Sequence, residues 1–535
     1  MPKLFHLSAA FLFFYSSLGL FWAPLSPLLA KTLIVSWMLI FVWLLAFGIY
    51  LEIQNLRQKK YPIYTAISLF ITFAIILSNI ANGKYLYGEI AQETTCLFNH
   101  LSASSDLGFN QTCLFGYPAR QFIFSSLPSF FGRSLFLLNV GPFLYFIIGL
   151  TLFIAGIRYF IDDSRTGDLL TALFIWLLPH SPHFFHLVFS FEQALFPLCF
   201  TLALLGLFFA FQKAKDVFPL FGFGQVILLL TYSYTPSLSV VLLSFVALFY
   251  FLFLYRHQFK ITISLSLIII FCAINLLSSV TLRQDLNRQN SSANPSVLSA
   301  SLTVLSHVFF QSQGKNFVDP QIQAWFILAT AAPLLLVYGF RHFVISLWVV
   351  ATILLSALSP GYASPPIDFA LHRAIIIIPV LYAQNLIALI HRKTICQILP
   401  LLQLLLLLLA VSGVSKYLSY TQGQSISPYY SVITWLAEKN IIVPKTPATV
   451  YFASGINSGI TSLRDFMPYF YPNVSTHSLD HQFCQLSQTI PPGIYIFPSD
   501  FSCGLLNDSP AFRQEQYLEP STHQVYLIKN ISQVF

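Results

Sequence analysis

Long apolar runs alternate with polar connections over most of the chain. A helix needs about 20 mostly apolar residues to cross a bilayer. Runs approaching that length fall at 5–29, 33–51, 63–81, 135–157, 169–189, 194–211, 217–232, 237–255, 261–280, 324–339, 343–358, 374–390 and 398–414. The pattern predicts an all-α polytopic membrane protein of about 13 spans, with the run at 217–232 short enough to be re-entrant. The first run follows Lys3 and ends Leu28-Leu29-Ala30. It therefore also reads as a signal peptide, although its apolar stretch is long for one.

Alternate connections are short and basic, carrying Arg57, Lys59 and Lys60, then Arg158 and Arg165, Lys213 and Lys215, Arg256 and Lys260, Arg341, and Arg392 and Lys393. Basic connections stay on the cytoplasmic side. The other set, near 82–134, 281–323, 359–373 and everything after Lys416, is long and charge-poor, and is expected outside. An odd number of spans then puts the N-terminus inside. The expected location is the plasma (inner) membrane, with the tail extracytoplasmic.

After residue 417 the material changes. Strand-like runs at 449–453, 493–497 and 524–528 follow a helical run at 429–439, which predicts a small extracytoplasmic α/β domain at 418–535. The expected organisation is two N-terminal spans (1–60), a membrane domain with long outer loops (61–417), and this domain. Composition agrees: 56% of residues are hydrophobic and 9% charged, against about 25% charged in soluble proteins. The excess of Lys and Arg (27) over Asp and Glu (19) is spread through the connections, so nothing points to nucleic acid. Four of seven cysteines fall outside, Cys96 with Cys113 and Cys484 with Cys503. They read either as two disulfides in an oxidising compartment or as four unrelated thiols. Sequons at Asn110, Asn290, Asn473, Asn507 and Asn530 also lie in outside segments.

Charged groups inside a bilayer are costly, and the predicted spans hold almost none, only amides such as Gln225, Gln384, Asn385 and Gln403. This weighs against a proton- or ion-coupled transporter and places any chemistry at the outer surface. There, Glu89 and Glu93 share a helix face. A half-desolvated carboxylate at that level suits a general base, and a solvated helix start would also favour acids. His180, His183 and His186 recur at intervals of three before Glu192. A divalent metal on His183 and His186 is one reading, an interfacial segment distorted by Pro179 and Pro182 is a second, and contact with acceptor or donor is a third. His372 and Arg373 stand directly before a late span. Arg373 either grips a phosphate through paired hydrogen bonds or anchors to headgroups. No P-loop, HExxH, GxSxG or paired CxxC is present.

Taken in order, these features resemble the polytopic glycosyltransferases of the GT-C class, such as protein O-mannosyltransferases and aminoarabinose transferases. Tyr87-Gly88-Glu89-Ile90-Ala91 is similar to their Tyr-Gly-Asp-Glu-Ala signature, with Glu for Asp and Ile for the second acid. Phe131-Gly132-Arg133-Ser134 resembles their Phe-Gly-x-Ser stretch, and His372-Arg373-Ala374 before Pro379 their late His-Arg-Tyr…Pro segment. The likeness runs from about residue 60 onward, with the first two spans as an addition.

The resemblance implies sugar transfer from a polyprenyl-phosphate-linked donor to an unidentified acceptor hydroxyl at the outer face. Glu89 would be the base, Arg373 the phosphate-stabilising cation and Glu192 a second acid for acceptor or metal. No certain cofactor is implied, and the partners would be the donor and membrane lipids. The alternatives are an inactive GT-C-like accessory or scaffold protein of envelope-glycan assembly, for which Ile90 speaks, and a lipid or glycan transporter.

Overall fold

The computed structural model describes residues 3–22, 27–81, 135–177, 195–231, 238–278, 311–312, 315–316, 321, 347–354 and 376–390. In the tail it describes 435–436, 438–442, 447–453, 467, 471, 473–479, 490–499, 513–518 and 525–531. These residues are mostly helical, with a small sheet near the C-terminus. The helices are α1 (Lys3–Trp22), α2 (Pro27–Arg57), α3 (Ile63–Ala81), α4 (Leu135–Phe160), α5 (Ser164–Leu177), α6 (Leu195–Ala214), α7 (Phe218–Thr231), α8 (Leu238–Leu254), α9 (Phe259–Ser278) and, later, α10 (Ile377–Ile390). Residues 347–354 are helical too. The expected spans at 324–339 and 398–414 lie outside the described residues.

The first apolar run stops earlier than its hydropathy suggests. α1 ends at Trp22, and the chain restarts at Pro27, the first residue of α2. Proline suits that position because its missing N–H would have no helical partner there. α1 and α2 form a hairpin tied by the Ser16 and Ser36 hydroxyls at 3.0 Å and by Tyr15 Oη donating to Thr32 at 2.6 Å.

The run at 217–232, short enough on sequence to be re-entrant, is α7, the buried centre of the bundle. Every residue from Phe218 to Thr231 except Phe221 is buried, and α7 packs against α1, α2, α6, α8 and α9. Its amide Gln225 is a tie between helices, donating from Nε2 to the Ala9 carbonyl at 2.8 Å. The rings of Phe13 and Phe14 meet Phe221 and Phe271 around the same joint.

α4 and α6 run parallel and approach closely because glycines face them. A Cβ on Gly149 would strike the Cys199 carbonyl, one on Gly156 the Gly206 backbone, and one on Gly206 the Leu152 carbonyl. Small residues that let two backbones touch are the usual device where helices lack a hydrophobic force between them.

The outer faces are apolar. Phe259 is 78% exposed, Phe70 77% and Leu277 70%, the reverse of a surface built for water. Among the described residues, Val35–Arg57 and Phe259–Ser278 are long and apolar enough to cross a membrane.

Two-residue strands β1 (Gln311–Ser312) and β2 (Lys315–Asn316) pair antiparallel. The tail holds β3 (Ala448–Ala453), β4 (Val474–Leu479), β5 (Gly493–Pro498), β6 (Arg513–Leu518) and β7 (Val525–Ile531), in spatial order β4-β3-β5-β7-β6. β3 is parallel to β4 and β5, and β7 is antiparallel to β5 and β6. The apolar runs expected to be strands are the three central ones. The two additional strands, Val-Ser-Thr-His-Ser-Leu and Arg-Gln-Glu-Gln-Tyr-Leu, are the edges, where polar and charged residues discourage pairing with a second chain. In the middle, Tyr451 and Tyr495 stack in register at 4.7 Å, and the buried Tyr495 donates to the Pro491 carbonyl at 2.6 Å. Burial pushes the Tyr495 hydroxyl well above the usual tyrosine pKa. The sheet and most of the helical residues belong to two separate compact units.

Candidate functional site

The residues singled out from the sequence, Glu89, Glu93, His183, His186, Glu192, His372 and Arg373 with Cys96, Cys113, Cys484 and Cys503, lie outside the described residues. Three described helices border the segments that carry the acids and the arginine. Glu89 and Glu93 follow α3, Glu192 precedes α6 by three positions, and Arg373 precedes α10 by four. Among the described residues no group of three His, Cys, Asp or Glu side chains is placed to hold a metal. The two free cysteines described there, Cys199 and Cys272, are buried.

The described polar chemistry gathers at the end of the bundle where the basic connections meet. α3 begins after Pro62, which has no side chain able to cap the first turn. Asp168 of α5 does so instead, its carboxylate accepting from the Tyr64 and Thr65 amides at 2.9 and 3.0 Å. These N–H groups would otherwise have no partner, and a negative charge favours the positive end of the helix dipole. Thr65 adds a hydroxyl contact to Thr171 at 2.6 Å.

The α4 C-terminus receives the mirror-image treatment. Lys60, just before α3, donates from Nζ to the Arg158 and Ile161 carbonyls at 3.1 and 2.6 Å. Burial lowers the Lys60 pKa below the usual lysine value. Arg158, 2% exposed, pairs with Glu52 of α2 and donates a second time to the Lys60 carbonyl. Asn55 joins the same two helices through the Ala155 carbonyl at 3.1 Å. At the solvent edge Lys213 pairs with Asp162 and holds its carboxyl below the usual range.

These contacts bring the connections around 57–62, 158–163 and 213–217 to one end of the bundle, and Tyr255 beside Phe211 brings the connection after α8 there as well. The sequence reading grouped the same connections by charge. Charge pattern alone makes Arg158 and Lys60 orienting charges and assigns no role to Glu52 and Asp168. The available signal is that each acid stands one residue outside an apolar run, where a carboxylate profits from a partner. α3 and α4 run antiparallel, with Pro62 to Phe73 alongside Arg158 to Leu150. α6, parallel to α4, enters from the end away from Lys213. The segments carrying Glu89 and Glu192 thus join helices at the end opposite the ionic cluster.

Comparison with solved structures finds a likeness of fold over most of the chain. ArnT from Cupriavidus metallidurans bound to undecaprenyl phosphate matches with a TM-score of 0.53 at 11% identity, over 88% of this chain and 98% of that one. The apo form of the same protein matches with a TM-score of 0.52 at 10% identity over the same shares. Neither a family model nor a curated protein matches the sequence. At such identities the likeness is one of fold, and at that level it bears out the GT-C resemblance carried by the motifs.

Proposed function

We propose that the chain is an integral inner-membrane glycosyltransferase that moves a sugar from a polyprenyl-phosphate donor to an acceptor hydroxyl at the outer face. The observation that carries this reading is the fold shared, over 88% of the chain, with a protein whose structure holds undecaprenyl phosphate. The apolar outer faces of α3 and α9 support membrane insertion. The gathering of basic connections at one end supports a cytoplasmic side there, with the N-terminus on that side and the C-terminal domain on the other.

In this reading Glu89, with Glu93 one turn on, takes the proton of the acceptor hydroxyl as its oxygen bonds to the sugar's anomeric carbon. The bond from that carbon to the donor phosphate breaks, and Arg373 and His372 meet the charge growing on the departing polyprenyl phosphate. Glu192 contacts the acceptor, and the tail domain orients it. A donor held by its lipid needs no nucleotide loop, consistent with the missing P-loop.

The test is transfer from undecaprenyl-phosphate mannose and undecaprenyl-phosphate aminoarabinose to membrane acceptors. Glu89→Gln should lower the rate at least about 100-fold while the protein remains in the membrane at its normal level. The second reading, an accessory protein without transfer, has Ile90 in its favour, since that position carries an acid in the family signature. It expects Glu89→Gln to leave the cellular phenotype intact.

A further inference from the structure

A cavity of about 230 Å³ lies between α2, α3 and α4, with Glu52 and Arg158 of the ionic cluster in its wall. Its walls are mostly apolar, with Leu69 and Phe73 of α3 facing Leu150 and Ile154 of α4. Ala66 stands exposed at its rim. A dry cavity of roughly 150 Å³ already accepts a benzene ring, so this one has room for a run of methylene groups. Its polar wall is unusual. Arg158 is 2% exposed and uses Nη1 on Glu52 and Nη2 on the Lys60 carbonyl, while its Nε–H has no partner. A buried donor left unmade costs more than an ordinary hydrogen bond gains.

The connection that leads into Pro62 of the cavity wall points to what would complete it. The connection from Arg57 to Lys60 carries three cations and no acid, and Arg57 and Lys59 are exposed. Tyr61 and Tyr64 flank it, 58% and 46% exposed, as aromatic rings do at headgroup level. Basic pockets between helices on the cytoplasmic side suit anionic headgroups.

We propose that this cavity holds one acyl chain of an anionic glycerophospholipid. The headgroup phosphate lies on Arg57 and Lys59, and an ester carbonyl oxygen accepts from Arg158 Nε. The lipid completes the packing of α3 against α4. The inference rests on the membrane reading of the chain and is independent of the catalytic assignment.

The experiment uses the full chain, purified in detergent and stripped of lipid. Native mass spectrometry and thermal unfolding are recorded with phosphatidylglycerol and with phosphatidylcholine of the same chains. Phosphatidylglycerol should give a one-to-one adduct and raise Tm by at least about 2 °C, and phosphatidylcholine should do less. Ala66→Trp, a substitution at an exposed position that fills the rim, should abolish the adduct, with Leu69→Trp as the second variant if the first does not fold. Arg57→Gln combined with Lys59→Gln should level the two lipids. An adduct that survives both cavity-filling variants overturns the proposal, as does a wild-type protein that takes up no lipid because water fills the cavity. A chain that stays in solution without detergent overturns the membrane reading and this site with it.

Discussion

Helices α6 and α3 are held to their neighbours in opposite ways, α6 to α4 and α3 to α5. α6 is held by backbone contact. Gly149, Gly156 and Gly206 remove the side chains between the two helices, so that main-chain atoms meet directly. α3 exposes Ile63, Ile67 and Phe70, borders a cavity, and is fixed at its N-terminal end by the Asp168 carboxylate and the Thr65 and Thr171 hydroxyls. Close packing spreads its stabilisation over many weak contacts. A cap concentrates it in a few hydrogen bonds at one turn and leaves the rest of the helix free to adjust. That difference matters in the proposed function, because α3 leads directly into the segment carrying Glu89.

The comparison breaks most severely at Gly206. Replacing it with leucine forces a side chain into the Leu152 carbonyl, and neither backbone has room to withdraw. The expected loss is about 3 kcal/mol, seen as disappearance of the monodisperse peak in detergent size-exclusion chromatography. Gly206→Ala should fall between. If leucine is tolerated at wild-type thermal stability, the close approach of α4 and α6 is wrong.

Asp168→Ala tests the other side. It removes the carboxylate from two amides at once, and loss of an N-cap costs about 1–2 kcal/mol. Because the cap acts on a single helix, the effect should be local. Hydrogen exchange should rise in the first turns of α3 while α7 stays protected. Uniform acceleration across both helices would show that α3 is not separately anchored.

Much of this architecture was legible in the sequence where one residue type decides the outcome locally. Continuous apolar runs marked the helices, and the apolar strands β3, β5 and β7 were found because a central strand must be apolar. β4 and β6 were hidden for the same reason, since an edge strand profits from being polar and so resembles a loop. The limits of the first helix depended on Pro27, which hydropathy ignores. The capping network was beyond reach, because Lys60 and Arg158, or Thr65 and Asp168, are about a hundred positions apart, and no periodicity connects them. The motif around Glu89 was legible as a resemblance, and the shared fold agrees with that resemblance while Glu89 itself lies outside the described residues.

The smallest expected effect is also the one that separates capping from mere packing at the α4 terminus. Lys60 donates to two carbonyls there and meets no carboxylate within hydrogen-bonding distance among its described contacts. Burial therefore lowers its pKa below the usual lysine value of 10.5. In the folded protein the ammonium releases its proton earlier than in the unfolded chain. Between the lowered value and 10.5 the unfolded chain binds more protons, so stability from this residue rises as pH rises through that window. Below the lowered value both states are charged, and the slope vanishes. Lys60→Met keeps most of the buried stem and removes the titration. The difference in Tm between wild type and Lys60→Met should shift in favour of the wild type as pH climbs from neutral to 10.5. A difference that stays flat would mean that Lys60 is as well solvated in the fold as in the unfolded chain, and that the α4 carbonyls are capped by water.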